Sequence, residues 1–310
     1  MRIVLIGSFG SSGDQHYRMH QPAAALAALP GVEVFEVHPD ARYRDAAALA
    51  ADLLVLTMTL DLEAFRLIRQ RRLLGRPTVV EVNDYLPDVQ AWNPAAGSWR
   101  DPRGQKLFHG LIHNADACQF SSSGLAERLQ QQARSAVVFP NHLDAIPGFD
   151  ALKHRADGRP LRIGWGGSIG HLEDLRHIAP ALLQWLPQQS DVQLEIMADP
   201  SLAAVFEGKV EENVLIRTPG SLDHYRSWLN SLHIGLAPLL PTDYNRCRSD
   251  VKFLEYAAAG AVAVLQNETP YQGLAATGLA NLFDSPETLI QQLESLVRNP
   301  EHRLEQARRA

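Results

Sequence analysis

Short apolar runs alternate with longer segments of helical periodicity along the whole chain, and this alternation limits the possible folds more than any other feature. Runs such as residues 3–6 and 161–165 have the length of strands buried on both faces, and each leads through glycines into a helical segment. Such units build parallel sheets covered by helices. The pattern starts again at residue 161, so we predict an α/β protein with two Rossmann-like, doubly wound parallel-sheet domains.

The predicted elements divide into two sets. In the first half we predict strands at residues 3–6, 32–37, 53–57, 78–82, 117–121 and 136–139, and helices at 23–29, 62–74 and 105–114. In the second half we predict strands at 161–165, 192–198, 214–217, 234–237 and 261–265, and helices at 172–186, 225–232, 250–259 and 286–297. The predicted domains are residues 1–146 and 161–310, joined by a proline- and glycine-containing linker at 147–160. Ligands of open parallel sheets bind beyond the carboxyl ends of the strands, so two sheets facing each other place a site in the cleft between them.

Composition narrows the class of protein. The 310 residues suffice for two domains, and 29 basic against 35 acidic residues, a net charge of −6, exclude a basic protein that coats nucleic acid. Any anion site must therefore be local. Cys118 and Cys247 form neither a disulfide framework nor a metal-binding pair. Because the N-terminal apolar run is too short for a secretory signal and no apolar stretch approaches 18 residues, we expect a cytoplasmic protein without a membrane span.

The most informative segment is residues 238–260. Ser249 is a good N-cap and Gly260 a good residue to follow a helix end, so a helix is predicted to begin at about residue 250. Arg246, Arg248 and Lys252 bracket its N-terminus. Free backbone N–H groups, the helix dipole and three cations together predict a diphosphate site.

Spacing by three puts Ser249, Lys252 and Glu255 on one polar stripe of this helix. The side chains expected to face the core are those of Val251, Leu254 and Ala258. A Glu255 carboxylate one turn beyond the phosphates can accept hydrogen bonds from sugar hydroxyls. The alternative at this point is a surface helix with a Lys–Glu pair and solvated arginines.

Residues 249–264, Ser-Asp-Val-Lys-Phe-Leu-Glu-Tyr-Ala-Ala-Ala-Gly-Ala-Val-Ala-Val, resemble the donor-binding helix of glycosyltransferases of the GT-B fold, particularly family 4 (group 1) and its shorter relatives. Further landmarks of that fold occur in the expected order, at residues 7–13, 81–84, 121–126, 139–144, 164–168 and 234–239. The resemblance implies a metal-independent enzyme without a cofactor that moves a sugar, with retention, from a nucleoside-diphosphate sugar to a glycan, a lipid-linked acceptor or a protein. It implies a role in polysaccharide biosynthesis and leaves the base open among UDP, GDP and dTDP types.

The resemblance and the residue types together give the candidate site residues. The catalytic candidates are Arg248, Lys252 and Asp84, the last because it follows a strand end where a carboxylate can bind an acceptor hydroxyl or act as a base. The candidates for donor binding are Gly166, Gly167, Ser168, His171, Arg246, Ser249 and Glu255. The candidates in the first glycine loop, on the acceptor side, are Gly10, Gly13, His16 and Arg18. No metal site is expected.

Two departures keep other functions open. Members of the family carry a Glu eight residues before the position of Glu255, and here that residue is Cys247. A non-catalytic nucleotide-sugar-binding relative, or a nucleotide-sugar epimerase or phosphorylase on the same fold, therefore remains an alternative. The expected terminal helix that crosses back to the first domain is also absent from the pattern.

Histidine pairs and a basic helix complete the candidates. His16 and His20 are four residues apart and lack a third metal ligand nearby, so they are expected to be polar lining. His109 and His113 share that spacing on a predicted solvated face. Within residues 65–76, five arginines interleave with apolar residues, a pattern that can contact anionic lipid at the inner membrane face. These are Arg66, Arg69, Arg71, Arg72 and Arg76, and the alternative is a helix that packs its apolar side on the sheet.

Overall fold

The computed structural model describes residues 1–7, 12–154, 160–206 and 213–310, and within them it contains two six-stranded sheets whose strand pairs are all parallel. The strands of the first sheet are β1 (Arg2–Ile6), β2 (Glu33–Val37), β3 (Leu53–Thr57), β4 (Thr78–Val82), β5 (Ala117–Phe120) and β6 (Ala136–Val138). Those of the second are β7 (Leu161–Gly167), β8 (Val192–Ala198), β9 (Val214–Arg217), β10 (Ile234–Ala237), β11 (Val262–Gln266) and β12 (Asn281–Phe283).

Helices connect consecutive strands in both sheets. In the first half they are α1 (Ser12–Gln15), α2 (Gln21–Ala27), α3 (Arg44–Ala50), α4 (Leu62–Leu73), α5 (Ala96–Trp99), α6 (Pro102–Asn114) and α7 (Ser123–Leu129), with a π-helical turn at His16–His20 between α1 and α2. In the second half they are α8 (Leu172–Trp185), α9 (Pro200–Ala203), α10 (Leu222–Asn230), α11 (Asp243–Arg246), α12 (Val251–Ala258), α13 (Thr269–Ala275), α14 (Pro286–Arg298) and α15 (Pro300–Arg309). Short 3₁₀ turns lie at Leu86–Asp88, Gln130–Gln132, Ala151–His154, Ile169–His171 and Leu186–Gln188.

Strand order fixes where each sheet can bind a ligand. The first sheet has the order β2-β1-β3-β4-β5-β6, and the second has the order β12-β11-β10-β7-β8-β9. The chain therefore reverses its direction of winding between β1 and β3 and again between β7 and β10. At such a switch point, the connections beyond the carboxyl ends of two neighbouring strands diverge and leave a crevice for a ligand.

The chain falls into two compact units. The first comprises Met1–His142 and Arg246–Ser249, and the second comprises Leu143–Asn245 and Asp250–Ala310. Residues 246–249, which the sequence analysis assigned to the second domain, thus pack within the first unit. Each sheet has two apolar clusters, one on each of its faces, because alternate residues of a strand point to opposite faces and helices cover both.

Most predicted elements occur where the sequence places them, because fully buried parallel strands read as short apolar runs. Five strands have the predicted first and last residues, namely those at residues 53–57, 78–82, 192–198, 214–217 and 234–237. The elements that the sequence analysis missed are β12, α3, α7, α13, α15 and the four short helices α1, α5, α9 and α11. α15 follows α14 after Asn299, whose side chain accepts a hydrogen bond from the His302 backbone N–H, and it belongs to the second unit.

The arginine-rich helix α4 uses part of its basic face inside the first unit. Arg71 is fully buried. Its guanidinium donates to the carbonyl oxygens of Ala51 (2.9 Å) and Pro77 (2.7 Å) and to the hydroxyl of Thr78 (3.1 Å). A further hydrogen bond goes to the Ala48 carbonyl oxygen. Arg71 therefore ties α3, α4 and the start of β4 together.

Two more arginines of the predicted basic face bond to the protein. Arg72 donates to the Asn114 carbonyl oxygen, and Arg76 donates to that of Leu49. Arg66 and Arg69 are the exposed members of the set. Contact of this helix with lipid stays a prediction that can involve these two side chains, whereas Arg71 is a structural residue. No helix among the described residues has the length and apolar character needed to cross a bilayer.

We expect Arg71→Ala to lower the free energy of unfolding by about 3 kcal/mol, because several buried carbonyl groups lose their donor at once. Arg69→Ala, on the exposed side of the same helix, should change it by less than about 0.5 kcal/mol. Urea denaturation of the two variants and the wild type measures both values. Equal stability of the two variants would contradict the role given to Arg71.

Candidate functional site

In the first unit, carboxylates gather where β4 ends. The strand runs to Val82, and Asn83 and Asp84 follow at the carboxyl edge of the sheet. Burial raises the pKa of Asp84 to about 6; the positive charge of Arg248 opposes this shift and the negative charge of Asp14 adds to it. A carboxyl group of this kind changes its charge close to neutral pH and can accept or donate a proton.

Asp14 comes to this edge from α1. Its carboxylate is hydrogen-bonded by the Asn83 side chain, and it lies close enough to Arg248 and Arg18 to feel their charges. Desolvation raises the pKa of Asp14, against the charges of Arg248 and Arg18 and the hydrogen bond from Asn83, and the Asp14 charge in turn acts on Asp84. Two carboxyl groups that interact in this way titrate as a pair.

A buried ion pair between Arg18 and Glu81 anchors this cluster of carboxylates. Arg18, in the π-helical turn, is 4% exposed, and its Nε lies 2.6 Å from Oε1 of Glu81, which is fully buried in β4. Nη1 of Arg18 donates to Oδ1 of Asn141 (2.9 Å), and Nδ2 of Asn141 donates to Oγ of Ser249 (2.9 Å). The guanidinium also lies over the Phe139 ring. Arg18 was predicted to be a loop residue on the acceptor side, and the structure places it in this network.

The segment 246–249 packs against the start of α7. Cys247 is 3% exposed within the first unit's core, and its carbonyl oxygen accepts a hydrogen bond from Ser122 Oγ (2.7 Å). A Cβ on Gly124 would collide with the Arg246 carbonyl oxygen, so this approach requires glycine. Cys247 is thus a packing residue, and a longer charged side chain at this position would be buried.

One detail of the predicted helix start is wrong. The N-cap of α12 is Asp250, without a side-chain capping bond, and not Ser249, whose hydroxyl instead accepts the bond from Asn141. The three predicted phosphate cations divide between the units, since Arg246 and Arg248 belong to the first and Lys252 to the second. Gly260 has the predicted left-handed conformation after the helix, with φ of +63°.

In the second unit, one buried carboxylate organises the switch point between β7 and β10. Asp174, on the first turn of α8, is 2% exposed. Its Oδ1 accepts hydrogen bonds from the backbone N–H of Leu240 (2.8 Å) and from Nδ2 of Asn245 (2.9 Å). Its Oδ2 lies 2.9 Å from Nδ1 of His171. Asp174 therefore holds the loop after β10 and the turn after β7 in one arrangement.

The Asp174 contact also sets the tautomer of His171. A carboxylate accepts a proton donor, so we assign the proton to Nδ1 of the imidazole. Nε2 is then an acceptor when the ring is neutral and a donor when the ring is charged. The ring packs edge-on against Trp165, which limits its rotation.

A lysine, a tyrosine and a glutamate form a second polar group in this unit. Nζ of Lys252 lies 2.5 Å from the Tyr225 hydroxyl and 3.0 Å from Oε2 of Glu255. The Tyr225 hydroxyl donates to the same Glu255 oxygen (2.9 Å). The predicted Lys252–Glu255 pair on one face of α12 is confirmed, and Tyr225 of α10 is a partner that the sequence analysis missed.

Gly166 and Gly167 end β7 rather than forming the predicted turn, and aromatic rings occupy the space beside them. A Cβ on Gly166 would lie 2.9 Å from the Trp228 ring and 3.0 Å from the Tyr225 ring. A Cβ on Gly167 would lie 2.8 Å from the Trp165 ring. Because these glycines have no side chains, aromatic rings can pack beside them. The Tyr225 ring thereby lies over the carboxyl end of β7.

The buried face of α12 differs from the prediction. Phe253, Glu255 and Tyr256 are buried, whereas Val251, Leu254 and Ala258, expected to face the core, are only partly buried. The Tyr256 ring occupies the space that a side chain at Gly235 of β10 would fill, and its hydroxyl donates to the Leu236 carbonyl oxygen (2.7 Å). This contact rotates the helix so that Glu255 is only 9% exposed.

The remaining candidates occupy separate places. Gly10 lies outside the described residues, and Gly13 lies on α1 with open space around its Cα. His16 packs edge-on against Tyr17, and Nδ1 of His20 lies 2.5 Å from Oε2 of Glu36. His109, on α6, contacts the side-chain oxygen of Gln132. Ser168 precedes the 3₁₀ turn at Ile169–His171 without a side-chain capping bond. In the described ranges, no three or more His, Cys, Asp or Glu side chains are grouped to hold a metal ion.

The raised pKa of Asp84 predicts a pH dependence of stability. Its folded pKa of about 6 exceeds the model-peptide value of 3.8, so the folded state binds the proton more tightly and stability falls as pH rises from about 4 to 6. Asp84→Asn should therefore raise the free energy of unfolding at pH 8 by on the order of 1–2 kcal/mol and have little effect at pH 3.5. Urea denaturation at both pH values tests this, with Asp88→Asn as the control. A gain that is the same at both pH values would contradict the assignment.

Comparison with known proteins supports the fold through structure and not through sequence. No protein-family profile matches the chain, and no curated protein matches it in sequence. The catalytic domain of starch synthase IV from Arabidopsis thaliana, solved with ADP and acarbose, superposes with a TM-score of 0.71 at 10% identity, covering 99% of this chain and 94% of that one. The Anabaena protein Alr3699/HepE, solved with UDP and glucose, gives 0.69 at 13% identity, covering 99% and 92%.

Enzymes of another reaction class share the same architecture. The UDP-GlcNAc 2-epimerase from Neisseria meningitidis, solved with UDP-GlcNAc, superposes with a TM-score of 0.57 at 9% identity, covering 99% of this chain and 94% of that one. The prediction of two Rossmann-like parallel-sheet domains is confirmed, while membership of family 4 stays a prediction. The chain has the GT-B fold, which glycosyltransferases and nucleotide-sugar epimerases share.

Proposed function

We propose that this protein is a glycosyltransferase that moves a sugar from a nucleoside-diphosphate sugar to an acceptor hydroxyl, without a metal ion. The observation that carries the proposal is the polar group of Tyr225, Lys252 and Glu255 beside the carboxyl end of β7. It lies on the sheet edge where doubly wound folds bind nucleotides. It also combines a cation for phosphate with a carboxylate for sugar hydroxyls.

Departure of the nucleoside diphosphate is the step that Lys252 serves. Negative charge develops on the leaving phosphate while the sugar becomes oxocarbenium-like. Arg246 and Arg248 are the other proposed sources of positive charge. The side chain of Lys252 is 19% exposed, so its ammonium group is partly desolvated and its charge acts more strongly than in bulk water.

His171 and Asp174 are proposed to act in donor binding as well. The imidazole is held by a buried carboxylate and by Trp165, and such preorganisation reduces the cost of binding a ligand. Asp174 is a positioning residue in this scheme, because its side chain contacts His171, Leu240 and Asn245 and is buried. Asn245 and Leu240 extend the same arrangement to the loop after β10.

Asp84 is the group proposed to meet the acceptor. In a reaction with retention, which the resemblance to family 4 implies, it orients the acceptor hydroxyl by hydrogen bonding. In a reaction with inversion it would remove the hydroxyl proton, and a pKa of about 6 suits that task at neutral pH. The anomeric configuration of the first product, read by proton NMR, distinguishes the two roles.

A nucleotide-sugar epimerase is the second candidate, and one observation favours it. Epimerisation needs groups that remove and return protons, and Asp14 and Asp84 form an interacting carboxyl pair with raised pKa values. A non-catalytic sugar-nucleotide-binding protein is the third candidate. The sequence feature that favours it is Cys247 in place of a glutamate, and the Cys247 side chain is buried in the first unit.

Binding and turnover separate these candidates. Isothermal titration calorimetry against UDP, GDP, dTDP and CMP sugars identifies the donor, and a donor-hydrolysis assay then measures release of the nucleotide. Turnover with release supports transfer, interconversion of the sugar without release supports the epimerase, and binding without turnover supports the non-catalytic relative. Absence of binding to every nucleotide sugar would contradict all three.

We expect Lys252→Ala to lower turnover with the identified donor by roughly 100-fold or more, since a charge-assisted contact to a leaving group contributes about 3 kcal/mol in the transition state. Lys106→Ala, an exposed lysine on α6, should leave turnover unchanged. Steady-state kinetics measures both, and thermal unfolding shows that both variants are folded. Wild-type turnover of the folded Lys252→Ala protein would remove Lys252 from the mechanism.

A further inference from the structure

A cavity of about 330 Å³ lies in the first unit, at the switch point between β1 and β3. Its walls are mainly apolar, formed by Ile6 and Leu56 at the ends of the two strands, by Ala64 and Leu67 of α4 and by Trp99 of α5. Four of these five side chains are themselves less than 7% exposed. The rigid elements of the fold therefore form this cavity, in the place where an open parallel sheet holds a ligand.

The charges beside the cavity neutralise each other. Arg44 and Asp61 are the charged residues of its lining, and their side chains pair at 2.7 Å. Nε of Arg44 also donates to Oδ1 of Asp45 (2.8 Å), and this hydrogen bond raises the pKa of the guanidinium. The Thr57 hydroxyl donates to the Ile6 carbonyl oxygen (3.0 Å). These polar groups already have partners, so the lining suits an uncharged, apolar group rather than an ion.

The cavity lies near the Asp84 cluster along the sheet. Thr57, on its wall, pairs in register with Glu81 of β4, and neighbouring strands are about 4.8 Å apart. Asp84 follows Glu81 by three residues at the same edge. A molecule whose apolar part fills the cavity can therefore carry a hydroxyl group toward Asp84.

We propose that this cavity binds the apolar portion of an amphipathic acceptor, an alkyl or aromatic group attached to a hydroxyl or a sugar. That the ligand is an acceptor rests on the proposed transfer of a sugar. Binding of the apolar group to the cavity does not depend on that proposal. At about 30 Å³ for each group of the size of a water molecule, the volume admits about eleven such groups. That size fits a medium-length alkyl chain or a ring system and is too small for both acyl chains of a membrane lipid.

Chain length gives the first test. Methyl, hexyl, octyl and dodecyl β-D-glucopyranosides, each below its micellar concentration, are titrated into the full chain by calorimetry. Each methylene group that enters the cavity should tighten binding by about fourfold, so octyl should bind about fifteen times more tightly than hexyl. The gain should level off before dodecyl, where the cavity is full. Equal binding of methyl and octyl glucosides would overturn the proposal, and so would a gain that continues undiminished to dodecyl, which indicates an open lipid surface.

Two variants locate the binding. Ala64→Leu fills the cavity from α4 and should weaken octyl glucoside binding at least tenfold, while Gln70→Leu, on the exposed side of the same helix, should leave it unchanged. Ser98→Phe, at an exposed position of the lining, provides a second block that does not disturb the core. Thermal unfolding checks that each variant folds. Wild-type affinity in folded Ser98→Phe and in folded Ala64→Leu would overturn the assignment of the site.

Different results would contradict the apolar subsite and the proposed glycosyltransferase activity. Binding of octyl glucoside that follows chain length and is lost in the variants supports the apolar subsite even if no sugar transfer is found. Transfer to methyl and octyl glucosides at equal kcat/KM would support the glycosyltransferase and overturn the subsite. The subsite as part of the acceptor site is supported when Ser98→Phe raises KM for octyl glucoside and leaves KM for methyl glucoside unchanged.

Discussion

The buried ion pair of Arg18 with Glu81 holds together the carboxyl edge of the first sheet near β4. Taking two charges out of water is costly, and such a pair is sustained only when its geometry is good and other hydrogen bonds complete it. Here the second donor of Arg18 reaches Asn141, which in turn donates to Ser249. The end of β4, the π-helical turn and the segment 246–249 are thereby fixed to one another. Asp84 follows Glu81 by three residues, and Arg248 directly precedes Ser249. The placement of these two proposed site residues therefore depends on the ion pair.

The second unit depends on a different constraint: glycines in its strands leave space that aromatic side chains of its helices fill. Gly166 and Gly235 have no side chains, and the rings of Trp228 and Tyr256 occupy the vacated space. Burial of large rings against the sheet yields more apolar contact than the missing methyl groups would. It also fixes α10 and α12 at a short distance from the sheet. The hydroxyl of Tyr225 and the carboxylate of Glu255 then meet because their helices are held by the neighbouring aromatic residues.

The sequence predicted the strands well and the site only in part, for physical reasons. A buried parallel strand is an apolar run, a property of five to seven adjacent residues, so β3 and β8 could be predicted with their ends. The buried face of the eight-residue helix α12 depends on Gly235, which lies in β10. Periodicity alone placed Leu254 against the core but missed the buried Phe253 and Tyr256. Cys247 was interpreted through a resemblance, whereas its packing is set by Gly124. Asp14 was missed because its pairing with Asp84 comes from folding of distant segments.

Lysine at position 252 is informative in a chain with only four lysines among 29 basic residues. An ammonium group has three donors on a flexible stem, whereas arginine presents a rigid planar fork. Two donors of Lys252 point to Tyr225 and Glu255, and in the described structure no third hydrogen bond is formed. Tyr225 donates to Glu255 in turn, so the three groups form a closed triangle whose charge is balanced. In the proposed reaction, a phosphate that approaches Lys252 uses the third donor first, and the triangle keeps the ammonium group oriented while the phosphate binds.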